Sequence, residues 1–274
     1  MKVVLFCGGF GMRLRGYSES VPKPLVEIGD QPILLHIMQY YAAFGHTDFV
    51  LCLGWKAEAI KSFFLTHADV ETSGQDLESI SECRFRGWNI RFEFTGINAC
   101  IGERLKQLEP LLREESYFYA NYADGLCNVD LNSLTHLHLK SDAAATFVSV
   151  HPTQSFHTVI SNGNGDVVSV ESISDQDVWM NGGYFVLSGD FFEFIDAGEE
   201  LVDEPFQRLI DRGRLKTHMH NDFWSCMDTY KEMQMLEEMH RKGETPWKIW
   251  QSEFPSVFDL SSTSETASPT NPIL

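Results

Sequence analysis

The sequence predicts an α/β fold with a single doubly wound, mainly parallel sheet of the Rossmann-like type. Apolar stretches at 3–6 and 49–53 are typical of strands buried on both faces of a parallel sheet. Segments with helical spacing lie between such stretches, and this alternation favours parallel strands joined by helical crossovers. With 274 residues, 43% of them apolar and 22% charged, the chain can bury one large core.

The predicted elements alternate regularly as far as residue 150. The first helix lies between Pro32, at a position suited to a first turn, and Gly45, at a position suited to a helix end. Ile90, Phe92 and Phe94 alternate like a strand with one covered face. In order, strands are predicted at 2–6, 49–53, 90–94, 117–119 and 145–150, and helices at 33–44, 55–65, 105–112 and 131–139.

The pattern changes after His151. Two apolar stretches, 156–160 and 167–173, flank the turn-rich segment 161–166, which predicts a β-hairpin. A strand at 183–187, short helices at 191–196 and 206–212 and a long helix at 228–241 complete the prediction.

We therefore expect one domain over residues 1–250, with the hairpin region (about 151–187) and a C-terminal helical segment at the mouth of the sheet. Residues 251–274 form an extension that is predicted to be flexible from about 261, where Ser, Thr and Pro dominate.

Composition excludes several classes of protein. The 21 Lys and Arg against 39 Asp and Glu give a formal net charge of −18, which disfavours nucleic acid and anionic membranes as partners. No apolar stretch suits a signal peptide or approaches the roughly 20 residues of a membrane span. The six cysteines form no C-x-x-C pair, so we expect free thiols in a cytoplasmic protein.

A glycine-rich loop follows the first predicted strand directly and reads Gly8-Gly9-Phe10-Gly11-Met12-Arg13-Leu14. Such a loop lets backbone N–H groups approach a phosphate chain, and arginine adds a fixed cation. The dinucleotide fingerprint requires glycine where Leu14 stands, and a P-loop requires Gly-Lys-Ser/Thr where the chain has Gly-Met-Arg. Both motifs fail, and the loop alone could also be a structural turn.

Lys23 follows between two prolines in Pro22-Lys23-Pro24. The prolines predict a stiff, extended segment that presents the lysine with little conformational entropy left to lose. The loop, the arginine and this lysine together indicate an anion site that suits a nucleoside triphosphate.

These two motifs resemble the signature of the sugar-1-phosphate nucleotidyltransferases, Gly-Gly-x-Gly-x-Arg-Leu followed by Pro-Lys-Pro-Leu-Val-Glu-Ile-Gly. The resemblance continues to about residue 250, and two of its segments are similar to the cytidylyl branch of that family. The segments that carry it further are 26–29, 33–38, 122–125, 180–187, 223–229 (with Met-Asp-Thr) and 246–250 (with Pro-Trp-Lys).

The resemblance implies the nucleotide site. In the family the glycine loop and its arginine hold the triphosphate, and the lysine between the prolines contacts the α-phosphate. Arg13 and Lys23 would then be catalytic, and the nucleotide-binding residues would be Leu5, Gly8, Gly9, Gly11, Arg13 and Lys23.

The resemblance also implies a Mg²⁺ site at Asp124 and Asp228. Mg²⁺ binds through one or two carboxylates together with phosphate oxygens and waters. Asp124 follows a predicted buried strand, at the edge where open α/β sheets bind ligands. Taken alone, Asp124 could equally be a turn residue and Asp228 a helix N-cap.

The implied reaction is Mg²⁺-dependent transfer of a cytidylyl group from CTP to a sugar 1-phosphate, with glucose 1-phosphate as the first choice. It needs no general base, because a phosphate monoester is already ionised near neutral pH. Positioning and charge stabilisation would be the protein's contribution.

The acceptor side departs from the family pattern. The family's Arg-Phe-Gly and Glu-Lys-Pro segments correspond to Ser155-Phe156-His157 and, within a residue or two, to 172–174, so both cations are absent. Residues 141–207 contain twelve acids and no Lys or Arg. Three explanations stay open: His157 or a neighbouring subunit replaces the cation, the acceptor is a different phosphate or phosphonate, or the acceptor site has decayed. The candidate acceptor residues are Glu171, Asn181, Gly182 and His157.

Two alternatives to the implied function remain. One is the same transfer to another acceptor or from dTTP or UTP, and the other is a nucleotide-binding module without catalysis. The resemblance also suggests a homo-oligomer, although the apolar face of Tyr230, Met233, Leu236 and Met239 is explained equally well by core packing.

Overall fold

The computed structural model describes residues 1–10, 21–68, 79–153 and 156–250. Within these ranges the α-helices are α1 (Ile33–Ala43), α2 (Ala57–Thr66), α3 (Ile101–Gln107), α4 (Glu109–Leu112), α5 (Leu131–Leu139), α6 (Glu204–Asp211) and α7 (Tyr230–Lys242). The first seven strands are β1 (Lys2–Phe6), β2 (Glu27–Ile28), β3 (Gln31–Pro32), β4 (Asp48–Leu53), β5 (Glu82–Phe85), β6 (Trp88–Phe94) and β7 (Phe118–Asn121). The others are β8 (Gly125–Cys127), β9 (Ala145–Val150), β10 (His157–Ser161), β11 (Val167–Ser172), β12 (Met180–Leu187), β13 (Leu215–His220) and β14 (Trp224–Cys226).

The main sheet of the described residues has eight strands in the order β13-β9-β12-β7-β1-β4-β6-β5. The pairs β1–β4, β1–β7, β4–β6 and β9–β13 are parallel, whereas β12 runs antiparallel between β7 and β9, and β5 runs antiparallel at one edge. The predicted doubly wound, mainly parallel sheet is therefore confirmed. The carboxyl ends of β1, β4, β6 and β7 meet at one edge, where open α/β sheets bind ligands.

Both faces of the sheet are covered. Side chains alternate along β1, so that Val3 and Leu5 pack on one face while Val4 and Phe6 pack on the other, and all four are buried. Residues of α1, α2, α5 and α7 cover the first face. Residues of α3, α4 and α6 and of a 3₁₀ turn at Gly189–Glu193 cover the second.

The structure corrects several predicted boundaries. The single helix expected at 105–112 is two helices that meet at Leu108, because Pro110 lies in the first turn of α4, where its missing N–H is tolerated. The helix expected at 191–196 is instead the 3₁₀ turn. Strand β13 was not predicted, since its sequence Leu-Lys-Thr-His-Met-His is polar and largely exposed at the sheet edge.

The predicted hairpin is present. Strands β10 and β11 pair antiparallel with Val159 opposite Val170. In the turn, Asn162 Oδ1 accepts hydrogen bonds from the N–H groups of Asn164 and Asp166, each at 3.0 Å, as expected for an Asx turn. The extension 251–274 lies outside the described residues, and the domain boundaries stay predictions.

All six cysteines are free thiols, four of them buried (Cys7, Cys52, Cys127 and Cys226). Among the described helices, none has the length and apolar character needed to cross a membrane.

The segment that contains Trp247, after α7, is anchored on His36, a buried histidine of α1. His36 Nε2 lies 2.8 Å from the carbonyl oxygen of Ile28, so this nitrogen carries the proton. His36 Nδ1 accepts from the side-chain amide of Gln31 (3.1 Å) and from Trp247 Nε1 (3.4 Å). Burial lowers the pKa of His36 to about 3, so the ring is neutral and joins Trp247 to the core.

This anchor predicts a specific pH dependence of stability. The unfolded chain protonates His36 below about pH 6.5, whereas the folded protein does so only near pH 3. The stabilisation is therefore complete above pH 6.5 and is lost as the pH falls towards 3. When the pH falls from 7 to 5, the effect of His36 alone should lower the free energy of unfolding by about 2 kcal/mol.

Urea titrations at both pH values test this on the wild type and His36→Gln, which should lose less stability on acidification. His157→Gln, on the exposed hairpin strand, is the control and should follow the wild type. Equal pH dependence in wild type and His36→Gln would contradict the prediction.

Candidate active site

Lys23 projects from a short 3₁₀ turn at Lys23–Leu25. The turn is closed by hydrogen bonds from Leu25 N–H to Pro22 O (2.8 Å) and from Val26 N–H to Lys23 O (3.1 Å). The segment that was predicted to be extended is therefore a 3₁₀ turn. Pro22 precedes this turn in an extended conformation, and Pro24 lies within it. The prolines still limit the freedom of Lys23, whose side chain is only 12% exposed.

The ammonium of Lys23 lies between two carboxylates. Its Nζ is 2.6 Å from Asp124 Oδ2 and 2.7 Å from Asp228 Oδ1. Burial on its own would lower the pKa of Lys23, but the two carboxylates outweigh that effect and the pKa is raised. Lys23 is therefore a permanent cation at physiological pH.

Main-chain pairing brings the two aspartates together although they are far apart in the sequence. Strands β8 and β14 pair antiparallel with Gly125 opposite Cys226. The N–H of Met227 then donates to the carbonyl oxygen of Asp124 at 2.8 Å. Residues 124 and 228 are thus fixed by the ends of one small two-stranded sheet.

Asp228 is not a helix N-cap. The N-cap of α7 is Thr229, which forms a capping box with Glu232. The N–H of Asp228 donates to Glu232 Oε2 at 2.9 Å. Because Thr229 and Glu232 satisfy the helix start, the carboxylate of Asp228 is available to Lys23.

A cavity of about 250 Å³ opens beside Lys23 at the carboxyl ends of β1 and β7. Its lining combines the three charged groups with backbone and apolar surface: Phe6, Cys7, Gly9, Lys23, Pro24, Ile101, Tyr122, Ala123, Asp124 and Asp228. Burial holds the pKa of the Cys7 thiol well above its ordinary value, so this sulfur is protonated and is a poor nucleophile.

The predicted nucleotide residues are only partly represented around this cavity. Gly9 and Lys23 line it, whereas Gly8 is buried and Leu5 is fully buried in β1. Gly11 and Arg13 lie outside the described residues, and their roles stay predictions.

The candidate acceptor residues fall into two groups. Asn181 adjoins the cavity, since its Nδ2 donates to the hydroxyl of Tyr122 at 2.9 Å. Gly182 accepts a 2.8 Å hydrogen bond from Trp224 Nε1 through its carbonyl oxygen. His157 and Glu171 lie exposed on the hairpin, and neither is among the residues that line the cavity.

Arg104, which sequence reasoning missed, holds Gly8, the residue at which the glycine loop begins. Arg104 is only 2% exposed, and this burial lowers the pKa of its guanidinium. The guanidinium donates to five neutral oxygens within 3.5 Å: Leu53 O, Thr95 Oγ1 and Gly96 O from Nη1, and Gly8 O and Ile97 O from Nη2.

These hydrogen bonds join the segments that follow β1, β4 and β6. Arg104 belongs to the helical stretch Ile-Gly-Glu-Arg-Leu-Lys-Gln, where an arginine ordinarily faces solvent. The sequence therefore carried no signal for its burial.

An α/β sheet with a cavity at its carboxyl edge that is lined by a buried lysine and two carboxylates is typical of proteins that bind and transfer phosphate groups. A profile of the family described as Nucleotidyl transferase matches residues 2–238. The chain belongs to this family and is a nucleotidyltransferase.

Two relatives cover most of the chain. A Bacillus subtilis (strain 168) protein named as a probable glucose-1-phosphate cytidylyltransferase is 35% identical over 257 residues, which are 91% of this chain and 100% of the relative. The glucose-1-phosphate cytidylyltransferase of Salmonella typhimurium is 32% identical over 258 residues, 92% of this chain and 100% of the relative.

The fold is also found among solved structures. The crystal structure of HddC from Yersinia pseudotuberculosis complexed with GMP-PN has a TM-score of 0.62 at 20% identity, over 87% of this chain and 99% of that chain. At this identity the likeness supports the fold alone.

The contact between Gly8 and Arg104 predicts unequal effects of two neighbouring substitutions. A Cβ at Gly8 would overlap Arg104 Nη1, whereas a Cβ at Gly9 would meet no atom of the described residues within 4 Å. Gly8→Ala should therefore displace a guanidinium that donates to five oxygens and lower the free energy of unfolding by about 1–3 kcal/mol. Gly9→Ala should leave it within about 0.5 kcal/mol.

Denaturant titration of both variants beside the wild type measures the difference. Equal stability of Gly8→Ala and Gly9→Ala would show that Arg104 does not fill the space beside Gly8.

Proposed function

We propose that the protein transfers a cytidylyl group from CTP to a sugar 1-phosphate in a Mg²⁺-dependent reaction that releases pyrophosphate and forms a CDP-sugar. Glucose 1-phosphate is the first-choice acceptor. The two relatives that span nine-tenths of the chain support this choice, because both are named as glucose-1-phosphate cytidylyltransferases.

The observation that carries the proposal is the position of Lys23 between Asp124 and Asp228. Two carboxylate oxygens converge on one cation at 2.6 and 2.7 Å, beside a cavity lined by backbone of the glycine loop. Hard oxygen donors of this kind suit Mg²⁺, which takes its other ligands from phosphates and water. When bound there, Mg²⁺ would neutralise triphosphate charge.

Lys23 has the chemistry required for the α-phosphate. Its raised pKa keeps it charged, and an ammonium beside the reacting phosphorus stabilises the negative charge that shifts towards the departing pyrophosphate. An oxygen of the acceptor phosphate forms the new bond to the α-phosphorus, and the bond from this phosphorus to the bridging oxygen of the β-phosphate breaks. No proton has to move, since the acceptor phosphate is ionised near neutral pH.

A covalent intermediate is not required in this proposal. Cys7 is the thiol that lines the cavity, and its burial favours the protonated form. Direct displacement needs instead that donor and acceptor are held in line. Arg104 supports that role by holding the carbonyl oxygen of Gly8 at 3.1 Å and so orienting the loop.

The acceptor site is proposed on the side of Tyr122. The side chain of Asn181 is hydrogen-bonded to the Tyr122 hydroxyl, and the carbonyl oxygen of Gly182 is hydrogen-bonded to Trp224 Nε1. A rigid polar surface therefore adjoins the cavity. Such groups can bind sugar hydroxyls. The absence of Lys and Arg from residues 141–207 keeps another phosphate or phosphonate as an alternative acceptor, and dTTP or UTP as alternative donors.

We further propose that the enzyme acts in the cytoplasm, where nucleoside triphosphates are made. Homo-oligomer formation stays a proposal from the family resemblance. The apolar residues of α7 do not argue for it, because Met233 and Leu236 are buried in the core of the chain itself.

A grid assay tests the proposal. Pyrophosphate release would be measured with Mg²⁺ over CTP, dTTP, UTP, ATP and GTP against glucose 1-phosphate, other sugar phosphates and a phosphonate. We expect CTP with glucose 1-phosphate to give the highest kcat/KM. CTP binding without pyrophosphate release from any pair would instead support the non-catalytic module.

The ion pairs predict that Asp124→Ala abolishes turnover while the fold is retained. The fold should persist because Lys23 keeps its ion pair with Asp228, so the melting temperature should change by only a few degrees. The loss in kcat should be at least about 100-fold. Asp222→Ala, at an exposed position, is the matched control and should keep wild-type turnover.

Activity of Asp124→Ala within a few-fold of wild type would remove Asp124 from the proposed metal site. Circular dichroism of both variants before the assay separates the expected loss of turnover from misfolding.

A further inference from the structure

We propose that Asn121 is a positioning residue for Asp124: its side chain holds Ala123 in a left-handed backbone conformation that directs the carboxylate of Asp124 towards Lys23. This proposal rests on the proposed function, in which Asp124 contributes to a metal and phosphate site.

Ala123 has an unusual backbone conformation, with φ of 62°. A residue with a Cβ is disfavoured there, because the Cβ approaches the following carbonyl oxygen. Conformations of this kind persist when the surrounding structure enforces them, and they are concentrated at functional sites. Ala123 lines the cavity and immediately precedes Asp124.

Asn121 supplies the constraint. It is the last residue of β7, where it lies opposite Leu5 of β1 and Tyr184 of β12, and it is 1% exposed. Its Oδ1 accepts a 2.7 Å hydrogen bond from the N–H of Ala123. Asparagine is well suited to this turn, because its side chain readily bonds the backbone two residues further on.

Within the part of the chain that the structure describes, the other hydrogen bonds of this turn fix its two sides and not residue 123 itself. On one side the N–H of Tyr122 donates to Gly183 O at 3.2 Å, and on the other Asp124 O accepts from Met227 N–H at 2.8 Å. The hydroxyl of Tyr184 donates to Gly125 O at 2.7 Å. The bond from Ala123 to Asn121 is thus the contact within the turn that favours its left-handed conformation.

Asn121 acts through the backbone rather than on a ligand. Its side chain is buried at the end of β7 and is not among the groups that line the cavity. Loss of its oxygen would allow Ala123 to move towards an ordinary φ and would change the direction of the Asp124 side chain. The Lys23 ion pair and the proposed cation site would then both be weakened.

A cycle of variants tests this role. Asn121→Ala should lower kcat by about tenfold or more and raise the Mg²⁺ concentration for half-maximal activity, with KM for CTP changed less. Because glycine adopts positive φ without a Cβ penalty, the loss caused by Asn121→Ala should be several-fold smaller in a chain that also carries Ala123→Gly. Asn132→Ala, exposed on α5, is the control and should retain wild-type kinetics.

A second measurement does not depend on turnover. Mn²⁺ would be titrated into each variant with CTP present and acceptor absent, and its binding followed by water proton relaxation. Asn121→Ala should bind Mn²⁺ about tenfold more weakly, which corresponds to about 1.4 kcal/mol. The added Ala123→Gly should recover part of the affinity. A purely structural role of Asn121 would lower the melting temperature without this recovery.

If Asn121→Ala does not fold, Asn121→Ser replaces it, because a serine hydroxyl makes the same turn more weakly. Its kcat and Mn²⁺ affinity should then lie below those of the wild type. Equal losses from the Asn121 substitution with and without Ala123→Gly would overturn the proposal.

The two proposals can fail separately. Absence of pyrophosphate release from the wild type with every substrate pair would overturn the proposed function, while the Mn²⁺ titrations would still decide the role of Asn121. Full activity and wild-type Mn²⁺ affinity of folded Asn121→Ala would overturn the positioning role and leave the function intact.

Discussion

The double ion pair of Lys23 is the interaction on which the site depends. It joins a turn near the start of the chain to Asp124, 101 positions away, and to Asp228, 205 positions away. Two carboxylates this close would repel each other, and the ammonium between them removes that repulsion. Lys23 therefore assembles the site, and under the proposed function it also provides the cation that faces the nucleotide.

A second cation, Arg104, joins neighbouring segments at the carboxyl edge of the main sheet. Its guanidinium bonds neutral oxygens of three strand-end segments, and none of these five acceptors is a carboxylate. A buried positive charge is tolerated when its N–H groups are hydrogen-bonded. Here the guanidinium of Arg104 contacts Gly8, where the glycine loop begins. Lys23 and Arg104 together balance the charges of Asp124 and Asp228, so these four groups are neutral in sum although the whole chain carries −18.

The fold was predictable because apolar periodicity reports burial directly. Buried strands such as β1 and β9 and amphipathic helices such as α5 match their predicted ranges closely. Strands β8 and β14 were missed, since each is three residues long and depends on its distant partner rather than on its own pattern. The edge strand β13 was missed because its side chains are exposed.

Residues of the candidate site were predictable only where a chemically suitable residue type lies within a distinctive sequence motif. Lys23, Asp124 and Asp228 belong to distinctive motifs and lie together in the structure, whereas their roles towards a nucleotide and a metal stay predictions. Arg104 and Asn121 carry no such signal: their roles come from burial and from hydrogen bonds to backbone atoms, which local sequence does not encode. The exposed positions of His157 and Glu171 follow from the hairpin, which pairs with itself and not with the main sheet.

The position of Asp228 near the end of the described chain has a consequence for synthesis on the ribosome. Strand β1 pairs with β7, and β8 with β14, so the site is built from contacts of long sequence separation, which form late in folding. A nascent chain can build much of the sheet from its first 190 residues, but Lys23 has only one of its two carboxylate partners until residue 228 has emerged. The double ion pair of Lys23 is thus completed only after every strand of the main sheet has been synthesised.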